Sequence, residues 1–385
     1  MADVSKSRKI LLVTNDLGPH AGGIESFILG LLGELDGSQI VIYTSSQDGD
    51  SEFDRSLSDA HGVVVIRDRA KVLLPTPRVN RSVAHVMREY GCEYIWFGAA
   101  APLGWMSGFL KRRGAKRVVA LSHGHEVWWA KVFPFSLLMR AIGRSMDAMG
   151  YLGKFTHDAM APALGKKIEM VRIAPGISTD HFIPGEKSST LMKEYALLGK
   201  DVIVCVGRLV HRKGQDRLIE AMPEILTSRP NAVLVLVGEG PYKSKLVKLV
   251  HSLGIEESVR FIGRVQYSAL PAHIQLGDLF AMPSRSRFFG LEVEGLGIVY
   301  LEASSCGVPV IAGASGGAPD AVLEGETGVV VNGSDVHAIA DAVVNLLNKP
   351  ELRRQMSERG REWASQEWNW VLWGQRFEKM LLGLN

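Results

Sequence analysis

The stretch from Leu279 to Ile311 leaves this chain little choice of architecture. Leu279 to Met282 is a short apolar run, and Gly290, Gly295 and Gly297 make the segment after it a loop. Ile298 to Cys306 then reads as a helix stopped by Gly307 and Pro309, and Val308 to Ile311 is apolar again. Strand, glycine loop, helix, strand is the repeating unit of an open α/β sheet. Such sheets bind ligands outside the carboxyl ends of their strands. Free amides at a helix start attract anions there, and glycines let a phosphate come close.

Two carboxylates frame the segment: Glu294 in the loop and Glu302 in the helix. In one continuous helix they would stand about 12 Å apart, at roughly 1.5 Å per residue. A glycosidase acid pair needs roughly 5 to 9.5 Å. The spacing leans away from hydrolysis, toward two carboxylates holding different parts of one long ligand.

The same pattern recurs along the chain. Lys9 to Thr14 is apolar without alternation, as in a buried parallel strand. Gly22 and Gly23 follow in a loop, and Ser26 to Leu35 has helical periodicity. A glycine pair before a helix is a phosphate-binding arrangement or a plain turn, and its spacing is not that of the dinucleotide fingerprint. Further strands are expected at 39–44, 62–66, 117–121, 149–152 and 170–173. Pro175 to Gly185 reads as a linker.

A second α/β unit opens with Val202 to Val206. The loop Gly207 to Gly214 comes next, carrying Arg208 and Lys213, and then a helix from Gln215 to Leu226. Two cations on a glycine-bounded loop at a strand end suit a diphosphate. Strands are expected at 233–237 and 259–262, and a helix at 336–347. Leu352 to Leu382 reads as helical, with Trp363, Trp368, Trp370 and Trp373 demanding burial. At 385 residues the chain outgrows one core. The class is therefore α/β with two Rossmann-like halves, divided as 1–175 and 176–365.

Charge is uneven. Residues 60–175 hold 18 Lys or Arg against 7 Asp or Glu, a surplus of 11, whereas 176–385 hold 22 against 24. A basic first half attracts anionic partners such as acidic lipid surfaces or phosphorylated substrates. Arg67 to Arg81 alternates cations with Leu74-Pro75-Thr76-Pro77 and reads as a loop near a site or facing lipid. Trp128 to Arg140 mixes aromatics with cations, which suits either a membrane interface or a helix buried on the sheet. Tyr94 to Leu110 is uncharged, but Gly98, Pro102, Gly104 and Gly108 interrupt it. Strand, loop and helix start is the better reading than a membrane span.

Asp48 and Asp50 match the Asp-x-Asp of metal-dependent sugar transferases, but the polar composition of 45–54 is that of a turn. His123 and His125, at the end of the 117–121 strand, lack a further distant metal ligand, so hydrogen bonding to a polar ligand is the preferred role. Cys92, Cys205 and Cys306 are scattered and suit buried free thiols in a reducing compartment. The start of the chain shows no signal-peptide pattern.

Taken in order, five motifs resemble family 4 retaining glycosyltransferases: Gly22-Gly23-Ile24-Glu25, Val206-Gly207-Arg208 with Lys213-Gly214, Val237 to Pro241, Glu294 with Glu302-Ala303, and Cys306 to Val310. The resemblance implies the GT-B fold, two Rossmann-like domains facing a cleft, with residues 366–385 packing back on the first. It implies that Arg208 and Lys213 hold a donor diphosphate, and that backbone at Gly22 and Gly23 reaches its distal phosphate. Glu294 would bind donor-sugar hydroxyls, Glu302 the ribose, and backbone at Gly297 and Ile298 the sugar and phosphate. His123 would bond near the reacting carbon, and backbone at Arg264 and Val265 would meet the base. No metal or other cofactor is implied.

The Glu294 loop, lengthened by Arg285 to Val293, further resembles the actinobacterial phosphatidylinositol monomannoside mannosyltransferases. So do His123 to Glu126 and Leu74 to Pro77, while Phe288 and Phe289 stand where smaller residues are usual. This branch implies GDP-mannose as donor and an anionic phosphoinositide-type lipid as acceptor, with no nucleic acid partner. It also implies a peripheral place on the inner face of the plasma membrane, met through the first domain. A transferase using another UDP- or GDP-sugar or acceptor would share the donor motifs. A non-enzymatic nucleotide-sugar sensor would share them too, without transfer.

Overall fold

The structure, a computed structural model, describes residues 8–19, 22–124, 126–290 and 292–384. Two compact units divide the chain: residues 1–176 with 370–385, and residues 177–369. Each is built on one parallel sheet. The first contains β1 (Ile10–Thr14), β2 (Ile40–Ser45), β3 (Val64–Asp68), β4 (Tyr94–Phe97), β5 (Arg117–Leu121), β6 (Ala148–Tyr151) and β7 (Glu169–Arg172), in the order β3-β2-β1-β4-β5-β6-β7. The second contains β8 (Asp201–Val206), β9 (Ala232–Val237), β10 (Val259–Gly263), β11 (Leu279–Met282), β12 (Val310–Gly313) and β13 (Gly328–Val331), in the order β10-β9-β8-β11-β12-β13. In both, the first strand lies between the second and the fourth. Strand order reverses there, and loops leaving the carboxyl ends splay apart.

Runs without alternation become central strands because both faces are covered. Leu11 and Val13 share a core with Ile95, Phe97, Val118 and Ala120, roofed by Val79, Val83 and Met87 of the helix Pro77–Glu89. Helices Gly23–Gly33 and Trp370–Leu382 pack on each other, and the latter also packs on β4, β5 and β6. Trp96 meets Phe377 there at 4.6 Å between ring centroids, and both are fully buried. Burying one large apolar side chain contributes about 1.5–3 kcal/mol, so the terminal helix is an integral part of the first unit. A methyl at Gly30 would overlap the Trp370 ring.

Several expectations change. The terminal helical stretch is two helices, Pro350–Glu367 and Trp370–Leu382. The break falls where the Ile177 N–H donates to the Trp368 carbonyl at 2.7 Å, so the outgoing and returning chains run side by side. Arg67 to Arg81 is not all loop: a helix starts at Pro77, whose missing N–H costs nothing in a first turn, and Thr76 caps it. Leu73 is buried within this stretch, exchanging two hydrogen bonds with the Asn15 amide at 2.6 and 3.0 Å. Asp50 leaves the expected turn to open the helix Asp50–His61, accepting the Gln47 N–H at 3.1 Å.

Trp128 to Arg140 forms two helices, Glu126–Lys131 and Phe135–Ser145. Val127, Ala130 and Met139 of these face the core, while Phe133 and Leu137 are exposed. Tyr94 to Leu110 holds β4, a loop, and the start of a short helix, Ser107–Lys111. Among the described residues no helix is long and apolar enough to cross a membrane. The same residues contain no group of three His, Cys, Asp or Glu suited to a metal ion.

Candidate active site

Because β8 and β11 are neighbours in the second unit, the loops that follow them meet where strand order reverses. Lys213 ends a 3-10 turn, His211–Lys213, in the first of these loops. Gly214 follows at φ +76, and a side chain there would overlap the Pro283 carbonyl oxygen just past β11. Only glycine allows both the left-handed turn and this approach of one backbone to the other.

Glu294 stands in the second loop, outside the helix Ile298–Ser305. Its Oε2 lies 2.9 Å from Lys213 Nζ and 2.9 Å from Arg212 Nη1. The Lys213 and Glu294 side chains are buried, so the pairing is screened little by solvent. The Glu294 N–H donates to Ser315 Oγ at 3.3 Å, and its carbonyl accepts from the Gly317 N–H at 2.9 Å. The β8 loop therefore holds the Glu294 carboxylate, and the β12 loop holds its backbone, in the loop after β11. Its Oε1 has no protein partner among the described residues and can accept from a ligand.

Gly297 is the N-cap of the Ile298–Ser305 helix, at φ +79. Tyr300 fastens that helix, donating from its hydroxyl to the Met282 carbonyl at 2.7 Å. Glu302, two residues further on, is buried. Burial pushes its carboxyl up to about 7, with the Lys213 charge pulling the other way. One ammonium thus acts on both carboxylates.

Arg208 shares the Lys213 loop, but its side chain is exposed and makes no ion pair among the described residues. Val265 is half-buried between β10 and the turn Tyr267–Ala269. Sequence reasoning missed Arg212, the second cation on Glu294. Its only signal was position beside Lys213, and consecutive cations in a tight turn cannot be sorted without the fold. The lengthened loop is a small hairpin: Arg287 and Glu292 exchange backbone hydrogen bonds, and their side chains pair at 3.0 Å. Phe288 sits exposed at its tip at φ +49.

In the first unit the glycine pair is the helix start itself, not a loop before it: Gly22 is the N-cap and Gly23 the first helical residue. The Gly22 N–H donates to Glu25 Oε2 at 3.0 Å. Among the described residues outside the immediate chain neighbours, nothing lies within 4 Å of where a Cβ would stand on either glycine, so here the missing side chains leave open backbone. His123 follows β5. Its Nε2 is 2.6 Å from the Gly98 carbonyl oxygen, which accepts the ring N–H, and its ring meets Phe27 edge-on at 5.5 Å. The His123 backbone N–H donates to Glu126 Oε2 at 2.9 Å. His125 lies outside the described residues.

Two Rossmann-like halves, with a buried cation–carboxylate cluster where strand order reverses in the second, define a glycosyltransferase of the GT-B class. HepE of Anabaena, solved with UDP, shares this fold at a TM-score of 0.82 and 20% identity, over 98% of this chain and 100% of that one. Sucrose-phosphate synthase from Thermosynechococcus elongatus shares it at 0.77 and 22%, over 98% and 99%. The family model for glycosyl transferases group 1 matches residues 188–363.

Within that class, the chain belongs to the family of GDP-mannose-dependent phosphatidylinositol monomannoside mannosyltransferases. It is 42% identical to the α-(1-6) enzyme of that name from Mycolicibacterium smegmatis, over 97% of this chain and 98% of the relative. The Mycobacterium tuberculosis H37Rv counterpart is 42% identical over 94% and 95%. That of Corynebacterium glutamicum, named for the monoacylated acceptor, is 40% identical over 98% and 99%.

Proposed function

We propose that this protein moves mannose from GDP-mannose to a phosphatidylinositol monomannoside, with retention at the anomeric carbon. The observation that carries the reading is Glu294 seated on Arg212 and Lys213 beside buried Glu302, in a chain that matches transferases so named along nearly its whole length.

Each residue then has a task. Lys213 and Arg208 face the donor diphosphate, Glu302 the ribose, and Val265 backbone the base. Glu294 accepts a mannose hydroxyl through Oε1, next to backbone at Gly297 and Ile298. In the first unit, Gly22 and Gly23 leave helix-start backbone open to a phosphate, the Gly22 N–H itself being held by Glu25, and His123 is placed to bond a sugar hydroxyl. As the bond from the anomeric carbon to the phosphate oxygen breaks, its electron pair stays on GDP. Lys213, Arg208 and the amides stabilise that growing charge, each such donor contributing about 3 to 4 kcal/mol. The acceptor hydroxyl attacks from the face that GDP leaves, and its proton passes to the departing phosphate oxygen. This retains configuration without a protein nucleophile. Fixed cations supply the positive charge, so activity should survive a chelator.

The acceptor is a lipid, and the first unit carries a matching surface. Arg69, Lys71 and Arg81 are exposed, with Val72 and Leu74 exposed among them. Cations beside exposed apolar side chains suit the anionic cytoplasmic leaflet and support a peripheral place there as part of this reading. The test is incubation of labelled GDP-mannose with vesicles containing phosphatidylinositol monomannoside. A labelled dimannoside is expected, together with co-flotation of protein and anionic vesicles at low salt. Preferential use of a UDP-sugar, or GDP-mannose binding without any transfer, would overturn the reading.

A further inference from the structure

One buried ion pair outside the residues assigned so far joins the β8 and β11 loops at their bases. Arg285, just past β11, and Asp216, in the first turn of the helix Gln215–Ser228, are both buried. The guanidinium donates to both carboxylate oxygens, Nη1 to Oδ1 at 2.9 Å and Nη2 to Oδ2 at 2.6 Å. Tyr242 adds a hydroxyl bond to Oδ2 at 3.3 Å, and Arg285 Nη2 lies 2.8 Å from His211 Nε2. The Arg285 backbone N–H also donates to the Arg212 carbonyl at 2.8 Å.

A buried ion pair is a poor way to add stability, since an apolar pair of similar volume often does as well. What it supplies is direction: a planar fork on a carboxylate fixes position and rotation together. Arg285 opens the hairpin loop whose far end carries Glu294. Glu294 in turn lands on Arg212 and Lys213, in the loop that Arg285 already grips. The loop is therefore clamped at both ends to one short segment, 211–216.

We infer that Arg285 and Asp216 are positioning residues that hold Glu294 in register with the donor sugar, an inference that rests on the transferase reading above. They set sugar discrimination and turnover, while nucleotide affinity, supplied by Arg208, Lys213 and Glu302, stays nearly unchanged.

The test compares wild type with Arg285→Ala, Arg285→Lys and Asp216→Asn. GDP affinity is measured by calorimetry, and transfer rates with GDP-mannose and GDP-glucose. In Arg285→Ala, GDP affinity should stay within about threefold, while kcat/KM for GDP-mannose falls about 10- to 100-fold and the mannose preference shrinks. Millimolar guanidinium, taking the vacated place beside Asp216, should restore part of the lost rate. Asp216→Asn should behave alike. If Arg285→Ala fails to fold, Arg285→Lys carries the test: it keeps the charge but loses the fork, and should lose discrimination without losing GDP. Unchanged discrimination in these variants, or GDP affinity falling in step with kcat/KM, would overturn the inference. Failure of wild type to use GDP-mannose would instead sink the transferase reading.

Discussion

Lys213 Nζ stands 2.9 Å from Glu294 Oε2 inside the second unit, and the same ammonium lowers the carboxyl of buried Glu302 against the pull of its burial. Arg212 reaches the same Glu294 oxygen at 2.9 Å. One lysine therefore ties together two carboxylates that the sequence separates by a loop and a helix turn, and a second cation keeps Glu294 paired if the lysine is lost.

Lys213→Ala should therefore keep the fold and lose turnover by roughly 10² to 10³. Arg212 still satisfies Glu294, so the melting temperature should stay within a few degrees of wild type. A radiometric transfer assay beside a thermal melt checks both. Wild-type turnover in the variant would remove Lys213 from the chemistry.

Glu302 gives stability a pH dependence of defined sign. Its carboxyl sits at about 7 in the fold against 4.5 in the open chain, so folding favours the neutral form. The contribution is fully present below about 4.5 and is lost as pH rises through about 7. A shift of that size corresponds to about 3 kcal/mol. Glu302→Gln, neutral throughout, should be more stable than wild type at pH 8.5 by up to about 3 kcal/mol and should converge with it near pH 4.5. Urea denaturation at the two pH values decides; a difference independent of pH would show that Glu302 is not held neutral by burial. The same variant tests the proposed ribose contact: GDP affinity should fall, and an unchanged affinity would remove Glu302 from that role.

Gly214→Ala should destabilise by about 2 kcal/mol or more, since it combines φ +76 with an overlap on the Pro283 carbonyl. The measurement is a chemical denaturation midpoint. Gly91→Ala, also at positive φ but with nothing within 4 Å of its Cβ position among the described residues, is the control. Equal losses at the two sites would mean that the contact with Pro283 contributes nothing.

Much of the architecture was legible because parallel strands covered on both faces cannot alternate. Val202 to Val206, Leu279 to Met282 and Arg117 to Leu121 announced themselves within a residue or two. The glycine-bearing loops at their carboxyl ends marked where Lys213, Glu294 and Glu302 sit. Helix starts were harder. Two prolines make 67–81 look like loop although Pro77 stands in the first turn of a helix, and Gly22 and Gly23 look like loop although they begin a helix. Local composition is ambiguous at such ends, because the same residue types cap helices and make turns.

By itself the sequence determined which segments must be covered strands, where backbone must turn without a Cβ, and which residue types stand at the strand ends, since each depends on near neighbours. Only the tertiary structure decided that Arg212 rather than Arg208 pairs with Glu294, that Arg285 grips Asp216, and that the chain breaks at Trp368–Asn369 before its last helix rejoins the first unit. Those pairings join residues far apart in the chain. They follow from the sheet order that makes β8 and β11 neighbours, and no local pattern encodes that order.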